Sequence, residues 1–317
     1  MKKLTLLACA ASLAAFPLSA QQEMKAFPAP GEIVAAAKAG EWVAIAPSDL
    51  LVMDLAPDAK AKPRRVVIQL MPPPFSQGWV GNIRKLAAAK WWDVTSINRV
   101  QDNYVVQWGD ATEKKALPEG LAKVGEEHYT SQTGEIVEPT MPPAQYIDSD
   151  IAWKLGDAYA KATGFWGGWP LASDHLNWPN EWPVHCYGMV GVGRNLSPDT
   201  GTGAELYTVI GHAPRHLDRN IALVGRVIEG MEHLSSLPRG RGALGFYEKD
   251  DERVPILSVR LGHEAKDVAA FEYLNTESKS FTQYADARAN RRDPFFIKPA
   301  GGADICNIPV PVRRKAK

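Results

Sequence analysis

The chain has 317 residues, of which 45% are hydrophobic and 23% are charged, a composition that excludes disordered, collagen-like and coiled-coil proteins. Lys and Arg together number 36, as do Asp and Glu, so no overall positive field favours nucleic acid or an anionic membrane. A binding partner must therefore be recognised at a local site.

The first 20 residues have the pattern of a signal peptide. Two lysines precede an apolar run over residues 4–18. A lipoprotein signal at Cys9 is the alternative, but only five residues separate it from the second lysine, fewer than the roughly 7 to 15 that an apolar region requires. No later segment has the ~18 to 20 continuous apolar residues of a membrane helix. The sequence predicts an exported, soluble mature chain that starts near residue 21, has no membrane span and resides in the bacterial periplasm.

Most of the other predicted elements are short strands rich in branched apolar residues. They cover residues 50–55, 65–70, 94–98, 104–107, 187–192, 206–210, 221–227 and 254–261. Apolar residues at helical spacing predict an amphipathic helix over 77–90, and shorter helical patterns lie at 227–234 and within 264–290. Many short strands with few helices predict a mainly β fold, in which helices cap a closed antiparallel β-barrel.

The predicted main domain spans residues 41–262 and contains a long insertion at about 111–186. The insertion carries five of the ten tryptophans among many Gly and Pro residues, and it shows little periodicity. We interpret it as a segment that covers part of the domain. Residues 21–40 are expected to form a weakly ordered arm or short helix, and residues 263–317 a mainly helical C-terminal extension with a frayed basic tail over 309–317.

Two cysteines remain once the predicted leader is removed. Cys186 and Cys306 would meet an oxidising compartment, which permits one disulfide. Cys186 also lies near the apolar residues Tyr187 and Val190, so it fits equally well as a small buried residue with a free thiol. The sequence leaves these alternatives open.

The segment 97–110 has the pattern of two strands joined by a turn. If residues 104–107 are extended, Val105 and Gln107 share one face of the strand. Tyr104 and Val106 then take the other face. This arrangement allows an arginine, an amide and apolar groups to line one groove.

The local sequence allows two interpretations of Arg99. It is either a functional group of that groove or a surface residue that pairs with Asp102 or Asp110. Exposed ion pairs of the second kind are common and weak.

The same segment stands at the spacing of the signature strand pair of the cyclophilins, a family of peptidyl-prolyl cis-trans isomerases. The residues that carry this resemblance are Arg99, Tyr104, Gln107, Gly109 and Asp110. Further segments resemble blocks of the family in the same order, namely 80–86, 187–193, 206–209, 217–220 and 224–231. The chain is therefore similar to the cyclophilins over about residues 50–262, with the insertion as an interruption.

The resemblance implies an isomerase that needs no cofactor and acts on proline-containing segments of exported polypeptides. It implies that Arg99 and Gln107 are catalytic. The residues that it implies for substrate binding are Tyr104, Val105, Gly193, Arg194, Glu205, Tyr207, His216 and Leu217. A second hypothesis is a non-catalytic cyclophilin-like module that binds proline-containing peptides as a chaperone or scaffold.

Within the implied site, the proline ring would occupy an apolar slot, and the backbone near Gly193 and Arg194 would bind the extended peptide. The slot would be lined by Tyr104, Val105, Tyr207 and Leu217. Gln107 would bind substrate backbone and hold the guanidinium of Arg99.

Four positions depart from the family pattern. Asn98 and Ile221 stand where histidines are usual. Glu205 replaces a glutamine, so its carboxylate is expected either to pair with Arg99 or to favour substrates with a basic residue. His216 replaces a tryptophan or other aromatic residue, and we expect weak inhibition by the cyclic immunosuppressive inhibitor of the family.

Two other motifs are weaker. The glycines at 188, 191 and 193 do not have the order of a dinucleotide-binding fingerprint. Asp174, His175, His185 and Cys186 do not have the spacing of any known pair of metal ligands, so no metal site is predicted.

Overall fold

The computed structural model describes residues 27–131, 157–174 and 180–315, so the predicted leader lies outside the described residues. In this part of the chain the α-helices are α1 (Pro30–Ala36), α2 (Gln77–Ala88), α3 (Glu232–Ser235) and α4 (Lys279–Ala289). The strands are β1 (Trp42–Ile45), β2 (Leu50–Leu55), β3 (Arg64–Leu70), β4 (Ser96–Val100), β5 (Val105–Gly109), β6 (Ala162–Trp166), β7 (Trp169–Ser173), β8 (Glu181–Pro183), β9 (Met189–Val192), β10 (Leu206–Val209), β11 (Leu223–Glu229), β12 (Val254–Leu261), β13 (Phe271–Leu274) and β14 (Val312–Arg314).

Eight strands form a closed antiparallel barrel in the order β10-β5-β4-β12-β2-β3-β11-β9. Alternate residues of these strands point inward and fill the barrel. The buried cluster includes Met53, Val66, Ile97, Val106, Trp108, Val190 and Val259. The apolar face of α2, which buries Ile83 and Leu86, packs against β11 and β12. The prediction of a mainly β fold with a closed antiparallel barrel is therefore confirmed.

A second sheet brings the two ends of the described chain together. β13 pairs with β1 on one side and with β14 on the other. The helix prediction within residues 264–290 is therefore wrong for the first half of that range, which contains β13. Only the second half is helical, as α4. The prediction of a frayed tail is also wrong for β14, where Arg313 forms an ion pair with Glu272 and lies 3.7 Å from the centroid of the Trp42 ring.

One further helical prediction needs correction. The pattern at 227–234 is strand up to Glu229, and α3 begins only at Glu232. In the N-terminal arm the structure has the short helix of the two predicted alternatives. This helix, α1, starts at Pro30, a residue whose missing N–H costs nothing at a helix start. None of the helices in the described ranges has the length and apolar character needed to span a bilayer.

The predicted insertion contains a third sheet, in the order β6-β7-β8. Trp169 and Trp182 are buried in the same cluster as the barrel interior, so this sheet packs on the main domain. Trp153 and Trp178 lie outside the described residues. Cys186 forms a disulfide with Cys306, with their Cα atoms 5.1 Å apart. This bond joins the end of the insertion to the C-terminal extension.

Candidate active site

A cleft of about 710 Å³ lies on the outer face of β4, β5 and β10. Val106 and Trp108 of β5 point into the barrel. Val105 and Gln107 alternate with them along the strand, so their side chains point outward into the cleft. The predicted site residues that line the cleft are Arg99, Tyr104, Val105, Gln107, Gly193, Arg194, Glu205, Tyr207 and Leu217. His216 does not line it. Its ring stacks instead on that of Tyr104, with the centroids 6.3 Å apart.

Arg99 is half-buried and held by hydrogen bonds on three sides. Its Nε donates to the carbonyl oxygen of Leu244 at 2.7 Å, and its Nη1 donates to Gln107 Oε1 at 3.0 Å. Its Nη2 donates to Gln101 Oε1. A register shift in β4 between Ile97 and Arg99 places Arg99 directly opposite Gln107. Burial lowers the pKa of Arg99, but an arginine guanidinium stays protonated in proteins.

The surface ion pair considered for Arg99 is not formed. Asp102 instead pairs with Arg239 at 2.9 Å. Asp110 accepts hydrogen bonds from the backbone N–H groups of residues 112, 114 and 115. Both neighbouring aspartates are thus engaged elsewhere.

The apolar slot lies beside Arg99 and forms a cluster separate from the barrel interior. Its members are Tyr104, Val105, Tyr207, Val209, Leu217 and Ile221. Strict alternation places Tyr104 on the opposite face from Val105, and this prediction is wrong. Tyr104 precedes β5, after a left-handed Asn103 with φ of 50°, and the turn brings its ring to the same side. The Arg99 guanidinium lies 5.7 Å from the centroid of that ring.

Tyr207 is the central buried residue of the slot, because β10 places it between Gln107 of β5 and Gly191 of β9. A Cβ atom at Gly191 would lie 2.3 Å from both the ring Cζ and the hydroxyl of Tyr207. Only a glycine at this position leaves room for the phenol.

We predict that Gly191→Ala lowers the free energy of unfolding by about 1–3 kcal/mol, since it overpacks a filled site. It should also lower isomerase activity, because the Tyr207 ring must move. Gly81→Ala is the matched control, since a Cβ there has no neighbour within 4 Å and alanine favours the helix. Chemical denaturation measures the first effect, and unchanged stability of Gly191→Ala would contradict this packing.

Glu205 is half-buried at the edge of the cleft. It accepts a hydrogen bond from the backbone N–H of Asp110 at 2.7 Å and also binds the side chains of Gln107 and Asn98. Burial raises the pKa of Glu205 to about 7, although these hydrogen bonds oppose the shift. Gln107 therefore contacts both Arg99 and Glu205, and the direct pairing of Glu205 with Arg99 is not formed.

The predicted peptide-binding backbone near Gly193 is only partly available. The N–H of Gly193 donates to the carbonyl oxygen of Glu205 at 2.8 Å, so it is already used within the sheet. Arg194 donates from Nε to the carbonyl oxygen of Asn220 at 3.0 Å. Both residues line the cleft, but the Gly193 N–H is not free for a substrate.

Sequence reasoning missed the segment 240–247, which forms the other rim of the cleft. Leu244 supplies the carbonyl that holds Arg99, and the Phe246 ring centroid lies 5.4 Å from the guanidinium. Leu244 lies 145 residues after Arg99 and has no motif of its own, so nothing in the local sequence connects the two. Its left-handed φ of 56° in a non-glycine residue is visible only in the structure.

Comparisons with known proteins bear first on the fold. A solved structure, cyclophilin AquaCyp293 from Hirschia baltica, superposes with a TM-score of 0.62 at 20% sequence identity, over 87% of this chain and 95% of that one. The fold is thus that of the cyclophilin barrel. A search of curated proteins found no match.

The family follows from the sequence. A family model described as cyclophilin-type peptidyl-prolyl cis-trans isomerase/CLD matches residues 65–261, more than half of the chain. The chain therefore belongs to the cyclophilin-type peptidyl-prolyl cis-trans isomerases. Members of this family are enzymes that bind proline-containing peptides, and the predicted class of isomerase is confirmed.

Proposed function

We propose that this isomerase acts through Arg99, which stabilises the twisted prolyl amide while the apolar slot holds the proline ring. A peptide bond resists rotation by ~18–20 kcal/mol because its nitrogen shares a lone pair with the carbonyl. In the twisted state the prolyl nitrogen regains that lone pair and accepts a hydrogen bond. A donor fixed at that position favours the twisted state over both planar isomers.

The observation that carries this proposal is the way Arg99 is held. A guanidinium has five N–H groups. Three of them bind Leu244, Gln107 and Gln101, so within the described chain two remain for a substrate. The carbonyl and the two side-chain amides that accept these hydrogen bonds fix the plane of the guanidinium. The ammonium of a lysine has no such plane and could not be oriented in the same way. Arg99 is thus oriented before substrate arrives.

The slot supplies the second requirement, which is a partly dry environment. Val105 and Tyr207 are buried, and Tyr104 and Leu217 pack against them. Hydrogen bonds from a charged donor are stronger where water is excluded. An acceleration of ~10⁵-fold corresponds to roughly 7 kcal/mol of barrier, which this pair of effects is sufficient to supply.

We further propose that the substrates are exported polypeptides in the periplasm. The leader-like sequence of the first 20 residues supports this. The disulfide between Cys186 and Cys306 supports it as well, because disulfides persist in oxidising compartments.

The test is the isomerisation rate of a proline tetrapeptide with catalytic amounts of the parent protein and of Arg99→Ala, compared at matched folded fraction. The proposal expects acceleration by the parent and its loss in the variant. Equal rates would remove the role of Arg99. Binding of the peptide without acceleration would leave the non-catalytic binding module.

Glu205 gives a prediction about substrate charge. Above pH 7 its carboxylate is ionised and faces the cleft, whereas below pH 7 it is neutral. The measurement compares two peptides, one with lysine beside proline and one with glutamine at the same place. We expect the kcat/KM of the lysine peptide, divided by that of the glutamine peptide, to rise about 1.5- to 5-fold from pH 6 to pH 8, as for a solvent-accessible ion pair. The ratio should stay constant in Glu205→Gln, and a ratio that rises in both proteins would contradict this assignment.

The same variant should alter the pH dependence of stability. The folded-state pKa of Glu205 is raised from 4.5 to about 7, so the proton binds more tightly to the folded state. The contribution to stability is full below pH 4.5 and is lost as the pH rises through about 7. Glu205→Gln should lack this component, which denaturation between pH 4 and pH 8 measures.

A further inference from the structure

The hydroxyl of Tyr207 is bound by a histidine from the end of the insertion. His185 Nε2 lies 2.9 Å from Tyr207 Oη, and the two rings are nearly parallel. His185 is fully buried, and Tyr207 is only 4% exposed. A phenylalanine would fill an apolar slot without any polar group, so the tyrosine adds a hydroxyl that has to be paired inside the protein.

The contacts of His185 define which atom donates. Its Nδ1 lies 2.9 Å from Asp218 Oδ1, and its backbone N–H donates to the same oxygen at 3.0 Å. A carboxylate only accepts, so Nδ1 carries the hydrogen and the neutral ring has a free lone pair on Nε2. Burial lowers the pKa of His185, which favours this neutral form, although Asp218 opposes the shift. The hydroxyl of Tyr207 therefore donates to Nε2.

The network continues to the wall of the slot. Arg215 donates from Nε to Asp218 Oδ2 at 2.6 Å and from Nη1 to Asp157 Oδ2 at 2.7 Å. All three side chains are almost completely buried. Arg215 begins the short turn that also contains Leu217, a member of the slot. One buried network thus holds both the slot floor at Tyr207 and the wall at Leu217.

We propose that His185 is a positioning residue for the isomerase reaction, acting through Tyr207 to hold the proline ring at a fixed place relative to Arg99. This inference rests on the proposed function, in which the slot holds that ring. The inference goes beyond the proposed function because it gives a role to His185, which does not line the cleft and comes from the insertion. A reacting group that moves by about 1 Å can lose on the order of 10²-fold in rate, so the exact place of the slot floor matters.

Two substitutions separate the two bonds of His185. The side-chain amide of asparagine reaches the position of Nδ1, so His185→Asn keeps the contact with Asp218 and loses that with Tyr207. The longer amide of glutamine reaches the position of Nε2, so His185→Gln keeps the contact with Tyr207. We expect about a 10-fold lower kcat in His185→Asn, with KM changed less than about twofold, and near-parent kcat in His185→Gln.

The control for a general loss of stability is Ile68→Val, which removes a buried methyl group from β3, away from the cleft. It should leave kcat unchanged at matched folded fraction. In a Tyr207→Phe background, His185→Asn should cause no further loss, because the hydroxyl is already absent. A kcat of His185→Asn equal to that of the parent, or an undiminished loss in the Tyr207→Phe background, would overturn the inference.

A spectroscopic measurement distinguishes this inference from the role of Arg99. With 3-fluorotyrosine incorporated, the ¹⁹F resonance of Tyr207 is identified by its absence in Tyr207→Phe. It should shift in His185→Asn and stay near its parent position in His185→Gln, Ile68→Val and Arg99→Ala. An unshifted resonance in His185→Asn overturns the positioning role whatever the activity, whereas equal activity of Arg99→Ala and the parent overturns only the proposed function.

Discussion

Replacing Arg99 by alanine is expected to lower kcat/KM for prolyl isomerisation by about 10²- to 10³-fold, the usual cost of removing one donor aimed at a transition state. The physical reason is that the twisted nitrogen would lose its charged donor in a cleft that excludes part of the water. Arg99→Lys should lose at least about 10-fold, because a mobile ammonium cannot be fixed by Leu244 and Gln107 together. Rates with a proline tetrapeptide measure both.

The matched control is Arg239→Ala. Arg239 also carries a positive charge and pairs with Asp102 next to the same turn, but it does not line the cleft. It should retain the parent rate, so that a loss specific to Arg99 is separated from a general effect of charge. A similar loss in both variants would point to electrostatics of the whole region rather than to a directed hydrogen bond.

Replacing Cys186 and Cys306 together by serine should lower the free energy of unfolding by about 2–5 kcal/mol. The disulfide joins residues 120 positions apart, and a crosslink over such a distance greatly restricts the unfolded chain. It also anchors the C-terminal extension, which has its own buried cluster around Leu274 and Phe281. Denaturant unfolding of the parent and the double variant measures the difference.

Reducing agent provides the control for this prediction. It should destabilise the parent by about the same amount and leave the double serine variant unchanged. If the parent and the variant unfold at the same denaturant concentration under oxidising conditions, the bond contributes nothing to stability and the chain-entropy argument fails.

The sequence predicted the barrel well because its strands are short, apolar and separated by turn residues. β2 and β12 begin and end where their patterns do. It failed for β13 and β14, since each is only three or four residues long and becomes a strand by pairing with a distant partner. Local periodicity carries no information about such pairing.

The site was predictable to the extent that a few residues of fixed spacing define it. Arg99 and Gln107 lie opposite each other on neighbouring strands, and their separation along the chain follows from that pairing. The partners that hold them were not predictable. Leu244 contributes a backbone carbonyl, which any residue possesses, and His185 acts from behind the slot through a network that exists only in three dimensions.

The positions of β1, β13 and β14 along the chain imply an order of assembly for a chain that is delivered N-terminus first. The last barrel strand ends at Leu261, so the barrel can close before β14 is available. β1 has no partner strand in this sheet until β13 is available, and one edge of β13 stays unpaired until residues 312–314 form β14. The barrel and its cleft can thus form first, and the terminal sheet is completed last.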